Sequence, residues 1–269
     1  MLKNSIGLGI AGNIAEHLEQ AGELKNFGET VIKKESAPQG IFPFYVPHSK
    51  SFLALYPVGD EKLELPSYEA NVQVESEVGI LFDIIYDKDF KVKNINAKKF
   101  TAFNDCSIRK EGAEKLSEKK SWSANSKGIA KEWIEIDKFE EGGVMDNFHL
   151  CSFVKRNGVL YEYGVDTPLL SYSYFYKKLE NWLVEKMNNQ KDRGQLENIA
   201  KHLEACNYPK QAFICIGATA YSEFGEKNYL KSNDEIYVIV YDKRKGSADI
   251  KAAENKIISH QKVVSTAMG

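Results

Sequence analysis

The chain has 269 residues, 43% apolar and 28% charged, a mixture that supports a sizeable buried core in one large domain or in a main domain with a small appendage. Thirty-six basic residues against thirty-eight acidic ones leave a formal charge of −2 with the signs interspersed, so no chain-wide field points to nucleic acid or a membrane surface. The four cysteines (Cys106, Cys151, Cys206, Cys215) form no Cys-x-x-Cys pair and have no histidine at ligand spacing, which argues against a zinc knuckle or a disulfide framework and fits reduced thiols in a cytoplasm.

In chain order, residues 6–15 are small and apolar and follow Lys3, superficially like a signal-peptide core. AEHLEQAGE follows at once and the run is short, so secretion is not expected. No segment approaches the roughly eighteen apolar residues of a membrane helix. The opening 35 residues read as a strand over 5–10, a Gly-Asn turn at Gly12 and Asn13, and a helix through Leu24. Residues 35–66 hold five of the seven prolines and predict extended segments and loops. After Tyr68 the pattern turns to period two, with strands expected over 73–86, 99–105, 133–136, 149–156, 159–163, 212–217 and 235–241. Asn157-Gly158 between two of these is a two-residue hairpin signal. Phe175, Leu179, Trp182, Leu183 and Met187 predict a helix over 172–187, and a second is expected over 194–205. Residues 243–251 read as a loop, and no internal repeat is visible. The class is strand-rich α+β.

NVQVESEVGILFDI, residues 71–84, places two carboxylates inside an apolar run. On a regular strand Gln73, Glu75 and Glu77 share one face and Val72, Val74, Val78 and Ile80 the other. Carboxylates two residues apart lie roughly 6.5–7 Å apart along a strand, which lets them converge on one hard cation; a strand with one wet face accounts for the same pattern. Asp105, in TAFNDCSIR, ends an apolar run where a side chain can face a cleft, or else belongs to an Asn-Asp turn with Arg109 on the surface. Lys127, in SWSANSKGIA, reads on its own as an exposed loop lysine. FICIGATAYSEFGE puts Gly217 and Thr219 at the end of a strand, in a turn.

Taken in order, AGNIAEH (11–17), ESE (75–77), NDCSIR (104–109), SKG (126–128), IGAT (216–219) and ND (233–234) resemble the motif series of the fumarylacetoacetate hydrolase superfamily, over nearly the whole chain. The hairpin KRNGVLYEYG (155–164) and the helix after it also match that pattern. The resemblance implies a fumarylacetoacetase C-terminal-domain-like mixed β fold with a few peripheral helices. Residues 1–66 would form an N-terminal strand, helix and extended lid-like segment, and residues 67–269 the catalytic domain.

It further implies Glu75, Glu77 and Asp105 as ligands of Mg2+ or Mn2+, with Ca2+ as the other hard ion, a choice consistent with all-oxygen ligation. Lys127 would stabilise a metal-bound enolate, His17 would handle the proton, and Arg109 would either grip a substrate carboxylate or buttress Asp105. Gly217 and Thr219 would contact substrate. The expected function is a hydrolase or lyase acting on a small β-diketo or α-keto acid, by C–C hydrolysis, decarboxylation or keto-enol isomerisation, in a cytoplasmic homodimer with no nucleic-acid or membrane partner. A non-catalytic metal- and ligand-binding protein is the alternative. Three positions depart from the family pattern: Gln20 stands where a glutamate is usual three residues after the histidine, Ile14 where a tyrosine is frequent, and Ala218-Thr219 where Thr-Pro is frequent.

Overall fold

The apolar runs of the sequence become strands buried on both faces, because two sheets and a layer of helices pack over them. In the computed structural model, which describes residues 2–14, 37–109, 112–246 and 256–266, fifteen strands are found. They are β1 (Ile6–Ala11), β2 (Gly40–Tyr45), β3 (Val58–Gly59), β4 (Lys62–Glu64), β5 (Val72–Gln73), β6 (Ser76–Tyr86), β7 (Val92–Asn104), β8 (Ser107–Ile108) and β9 (Lys127–Ile129). The series continues with β10 (Ile134–Glu135), β11 (Phe148–Arg156), β12 (Val159–Pro168), β13 (Gln211–Cys215), β14 (Glu235–Asp242) and β15 (Lys256–Val264). The described α-helices are α1 (Tyr176–Asn189), α2 (Ile199–Ala205) and α3 (Glu223–Lys227). None is long and apolar enough to cross a membrane.

The larger sheet has eight strands in the order β2-β1-β13-β6-β7-β9-β3, with β10 on β7; the second has five, in the order β12-β11-β14-β15-β4. β14 and β15 pack against β7 and β11 against β6, so the two sheets share one core in which Phe82, Phe100, Phe148, Ile236 and Val238 are buried. α1 covers β7 with Leu179, Leu183 and Met187, the helical face expected from their spacing. The Asn157-Gly158 turn has both residues at positive φ (52° and 82°) between the antiparallel β11 and β12, the two-residue hairpin its sequence predicts.

The strand expected over 73–86 is interrupted. β5 pairs with β8, whereas β6 pairs with β7, so the chain changes partner at Val74 and Glu75. The opposite chain makes the same change at Asp105 and Cys106, and the two corners are tied by Asp105 N–H donating to Glu75 O at 2.8 Å. Neither face is wet: Gln73, Glu75, Ser76 and Glu77 are all buried. β7 starts seven residues before the expected 99, since the polar run KVKNINAKK hides its alternation, and β15 was not anticipated at all. The helix expected over 172–187 begins at Tyr176, after a short 3-10 turn over Leu169–Ser171, and that expected over 194–205 starts only at Ile199, capped by Asn198. The helix expected through Leu24 and most of the 243–251 loop lie outside the described residues.

Gln261 on β15 clips the two sheets together. It is fully buried, accepts from Asn104 Nδ2 at 3.0 Å and donates to Lys127 O and Lys62 O at 3.0 and 3.1 Å. It crosses directly over Gly128, where any Cβ would collide with its amide. Gln261→Leu strips these partners inside the core and should lower unfolding free energy by about 2–4 kcal/mol. Urea denaturation checks this, and a loss below about 0.5 kcal/mol would show that the clip does not couple the sheets.

Candidate active site

The sheet topology brings scattered motifs to one end of the larger sheet. β1 and β13 run parallel, and both end there, at Ala11 and Cys215. β6 is antiparallel to β13 and starts there; β7 returns to it at Asn104, and β9 leaves from it at Lys127. Glu75, Glu77, Asp105, Lys127 and Gly217 therefore meet although they are spread over more than half of the chain.

Asp105 is the centre of the charge network. Both it and Lys127 have no exposed surface. Lys127 Nζ lies 2.6 Å from Asp105 Oδ1 and donates to Cys106 O at 3.3 Å. The other carboxylate oxygen, Oδ2, is 2.7 Å from the ammonium of Lys120, a residue that sequence reasoning did not single out. Lys120 also donates to Glu75 Oε2 at 2.5 Å and to Asp105 O at 3.3 Å. It follows a 3-10 turn over Leu116–Lys119 that Leu116 anchors by packing with Ala11 and Phe42. Nothing in KLSEKK marks a buried lysine except that lone leucine in a polar run.

Glu75 points to Lys120 on one side and to Arg109 on the other, whose guanidinium lies 3.0 Å from Oε1. Arg109 is further held by Gln73 Oε1 at 2.5 Å and by the Tyr221 hydroxyl. It thus buttresses Glu75, not Asp105 as one of the two sequence alternatives had it. Glu77 Oε2 accepts from Gly217 N–H at 2.6 Å. That contact needs Gly217 at φ +118°, and a Cβ there would lie 2.9 Å from Asn13 Cβ. Asn13 locks the loop by donating to Ile216 O at 2.8 Å and Tyr174 O at 3.0 Å. The Thr219 hydroxyl is turned to Ser76 Oγ at 3.0 Å, with Ser152 behind it at 3.1 Å from Ser76. His17 and Gln20 lie outside the described residues.

Among the described residues, one oxygen each of Glu77 and Asp105 and the Cys215 sulfur lie within 4.8 Å of one another, all buried, as candidate metal-ligand atoms. Burial, then the charges of Glu77 and Asp105, push the Cys215 thiol well above its ordinary range, and it donates to Leu8 O at 3.5 Å. It is therefore a poor source of thiolate, and the donors left for an ion are carboxylate oxygens, the set a hard divalent cation takes. Burial, followed by the Asp105 charge, raises the Glu77 carboxyl well above 4.5, against the opposing pull of Lys120 and Gly217 N–H. That is the repulsion a divalent cation would relieve. The residues present thus fit such an ion. Glu75, Glu77 and Lys120 form the charged floor of a small cleft of about 20 Å³, walled by Ile10, Phe42 and Ala218.

Several solved structures share this architecture. A fumarylacetoacetate hydrolase family protein from Yersinia pestis CO92 matches with TM-score 0.52 and 11% identity, over 96% of this chain and 93% of that one. The 5-carboxymethyl-2-hydroxymuconate delta-isomerase from Mycobacterium smegmatis matches with TM-score 0.54 and 14% identity, over 97% and 79%. A 2-keto-3-deoxy-D-arabinonate dehydratase complexed with magnesium and 2,5-dioxopentanoate matches with TM-score 0.50 and 13% identity, over 97% and 73%. The fold is that of the fumarylacetoacetate hydrolase superfamily. A family profile described as a family of unknown function (DUF5718) matches residues 23–268, and the chain belongs to that family. No curated protein matches the sequence.

Because the folded Glu77 carboxyl holds its proton more tightly than the unfolded one, its contribution to stability is present at low pH and is lost as pH rises from about 4.5 through the raised folded value. Glu77→Gln keeps an acceptor for Gly217 N–H and removes the charge. In chelator-treated protein it should melt higher than wild type at pH 8, with the difference shrinking toward pH 4.5. A variant that melts lower than wild type at pH 8 would contradict this assignment.

Proposed function

We propose that the chain is a divalent-metal-dependent enzyme acting on a small α-keto or β-diketo acid, by C–C hydrolysis, decarboxylation or keto-enol isomerisation. One observation carries the reading: Glu75, Glu77 and Lys120 line the floor of a cleft, and behind it the fully buried Asp105, paired with Lys127, brings a carboxylate oxygen within 4.8 Å of one of Glu77, so fixed positive charge and acidic ligands adjoin one dry site. The structural neighbour solved with magnesium and 2,5-dioxopentanoate supports the choice of a hard cation and a small oxo compound.

Glu75, Glu77 and Asp105 would hold Mg2+ or Mn2+, with Ca2+ a further candidate of the same oxygen-seeking type. Such an ion, once bound, supplies Lewis-acid stabilisation of negative charge on a ketone oxygen. Lys127 adds a preorganised cation that cannot be screened by water and needs no reorganisation as charge develops. Arg109 fixes the Glu75 carboxylate from behind. Gly217 positions Glu77 through its N–H, and its loop presents Ala218 to the cleft, while the Thr219 hydroxyl, expected to contact substrate, is turned to Ser76. His17 is assigned the proton transfer, for which a group titrating near neutrality is suited. A homodimer in the cytoplasm is proposed on the same family resemblance.

A second reading, a metal-stabilised binding protein without turnover, is favoured by the way Glu75 and Asp105 are already paired with Arg109, Lys120 and Lys127 in one chain of ion pairs. Assays of oxaloacetate and acylpyruvates with added Mn2+ separate the two. Wild-type turnover is expected, with Lys127→Met lowering kcat by about 10²–10³-fold at little change in KM, and His17→Ala abolishing it. A Mn2+-dependent rise in melting temperature without turnover of any of these acids would select the binding protein instead.

A further inference from the structure

Resting on the metal reading above, we infer that Lys120 is a resident cation which a divalent ion must displace from the carboxylates before it can bind them. The Lys120 ammonium lies 2.5 Å from Glu75 Oε2 and 2.7 Å from Asp105 Oδ2, bridging the two residues that would serve as ligands. An ion bound to the same oxygens stands about 2.0–2.6 Å from each, in the space the nitrogen fills, and the two cannot coexist there. The ligand atoms bear the mark of this occupation. Glu77 and Asp105 converge with Cys215, whereas Glu75, the third expected ligand, is outside that cluster and is held by Lys120 and Arg109.

Lys120 is built into the seat and did not drift there. It is 3% exposed, its ammonium lies 5.3 Å from the centre of the Phe42 ring, and its backbone is pinned by N–H donation to Ser117 O at 3.1 Å. Lys127 has a different place. It binds Asp105 Oδ1, the oxygen that Lys120 does not hold, so an ion that takes the Lys120 position need not displace it. Lys120 lines the cleft, whereas Lys127 is not among the residues that line it. The protein without metal is thereby already neutralised at its acidic floor, and the exchange replaces one positive charge by two, which suits the site to a divalent ion followed by an anionic ligand. Affinity for the ion is set low by the cost of removing the ammonium from two carboxylates inside the protein.

The test compares wild type with Lys120→Met and Lys120→Gln, using Mn2+ as the probe and the free-ion EPR signal to measure Kd. Both variants are expected to melt lower than wild type in chelator, to gain more from added Mn2+, and to bind it at least about tenfold more tightly. Equal affinity, within about twofold, in wild type and variants would overturn the inference while leaving the metal reading standing. Failure of wild type and variants alike to bind Mn2+ would remove the metal reading, and this inference with it. Should neither variant fold, the wild type decides: acetic anhydride labelling read peptide by peptide should show Lys120 protected in chelator and exposed by saturating Mg2+, with Lys127 protected throughout. Lys120 labelling that Mg2+ leaves unchanged would overturn the proposal.

Discussion

A carboxylate with no access to water holds this site together. Asp105 would lose several kcal/mol on leaving solvent as an unpaired ion, and the fold offsets that loss by giving each of its oxygens an ammonium, Lys127 on Oδ1 and Lys120 on Oδ2. Each lysine lies over a phenylalanine of β2, Phe42 under Lys120 at 5.3 Å and Phe44 under Lys127 at 5.6 Å from the ring centres. Residues two apart on a strand point to the same side, so one edge strand carries both rings. β2, β7, β9 and the turn before Lys120 are thus fixed relative to one another by a single acidic side chain. None of them can shift without leaving a buried charge unmatched.

The irregular corner in the β5–β6 and β7–β8 segments makes this arrangement possible. A continuous ladder would have kept Glu75 and Glu77 on one pleat face at regular spacing, aimed the same way. Exchanging partner strands at Glu75 and Asp105 frees both carboxylates from the pleat, and the Asp105 N–H to Glu75 O bond keeps the two corners in contact. Glu77, still in the ladder opposite Phe103, points instead to the loop after β13. Three acids that would repel one another as a row are in this way spread around three cations.

Much of this was legible in the sequence, and what was not has definite causes. Glu75, Glu77, Asp105 and Lys127 carried their motif order, and the strands reaching the three acids were recognised from period-two runs, whereas β9, which starts at Lys127, was read as a loop. Their burial was hidden, because a half-wet strand and a core strand with acids in it share the same alternation until the packing of the second sheet is known. Lys120 was invisible: a 3-10 turn gives no periodic signal, and in the polar run KLSEKK the buried Ser117, Lys119 and Lys120 look like the residues of a solvated loop. For Arg109 the sequence left two roles open, gripping a substrate carboxylate or buttressing Asp105; its contact with Glu75 was hidden because β5–β8 pairing brings it to Asn71, whose carbonyl its N–H meets at 2.7 Å, and so to Glu75. β15 went unnoticed since two of its four inward positions, Ser259 and Gln261, are polar and break the apolar alternation, the second being the clip itself.

The departures at Ala218 and Thr219 have a consequence for what the cleft can recognise. Where the family pattern places Thr-Pro, this chain has a methyl group facing the cleft at Ala218 and carries the hydroxyl one residue later, where it joins Ser76 and Ser152 inside the sheet. That hydroxyl chain fills the space over Gly164, whose missing Cβ would lie 2.5 Å from Ser76 Oγ, so it belongs to the core packing. On the opposite wall, Ile14 likewise puts hydrocarbon where a phenol is frequent. A ligand entering the cleft therefore meets apolar walls and a floor of Glu75, Glu77 and Lys120, with polar discrimination concentrated at the floor. Discrimination at such a floor works through charge more than through hydroxyl groups of the loop, and the charge that lies between Glu75 and Asp105 is the Lys120 ammonium.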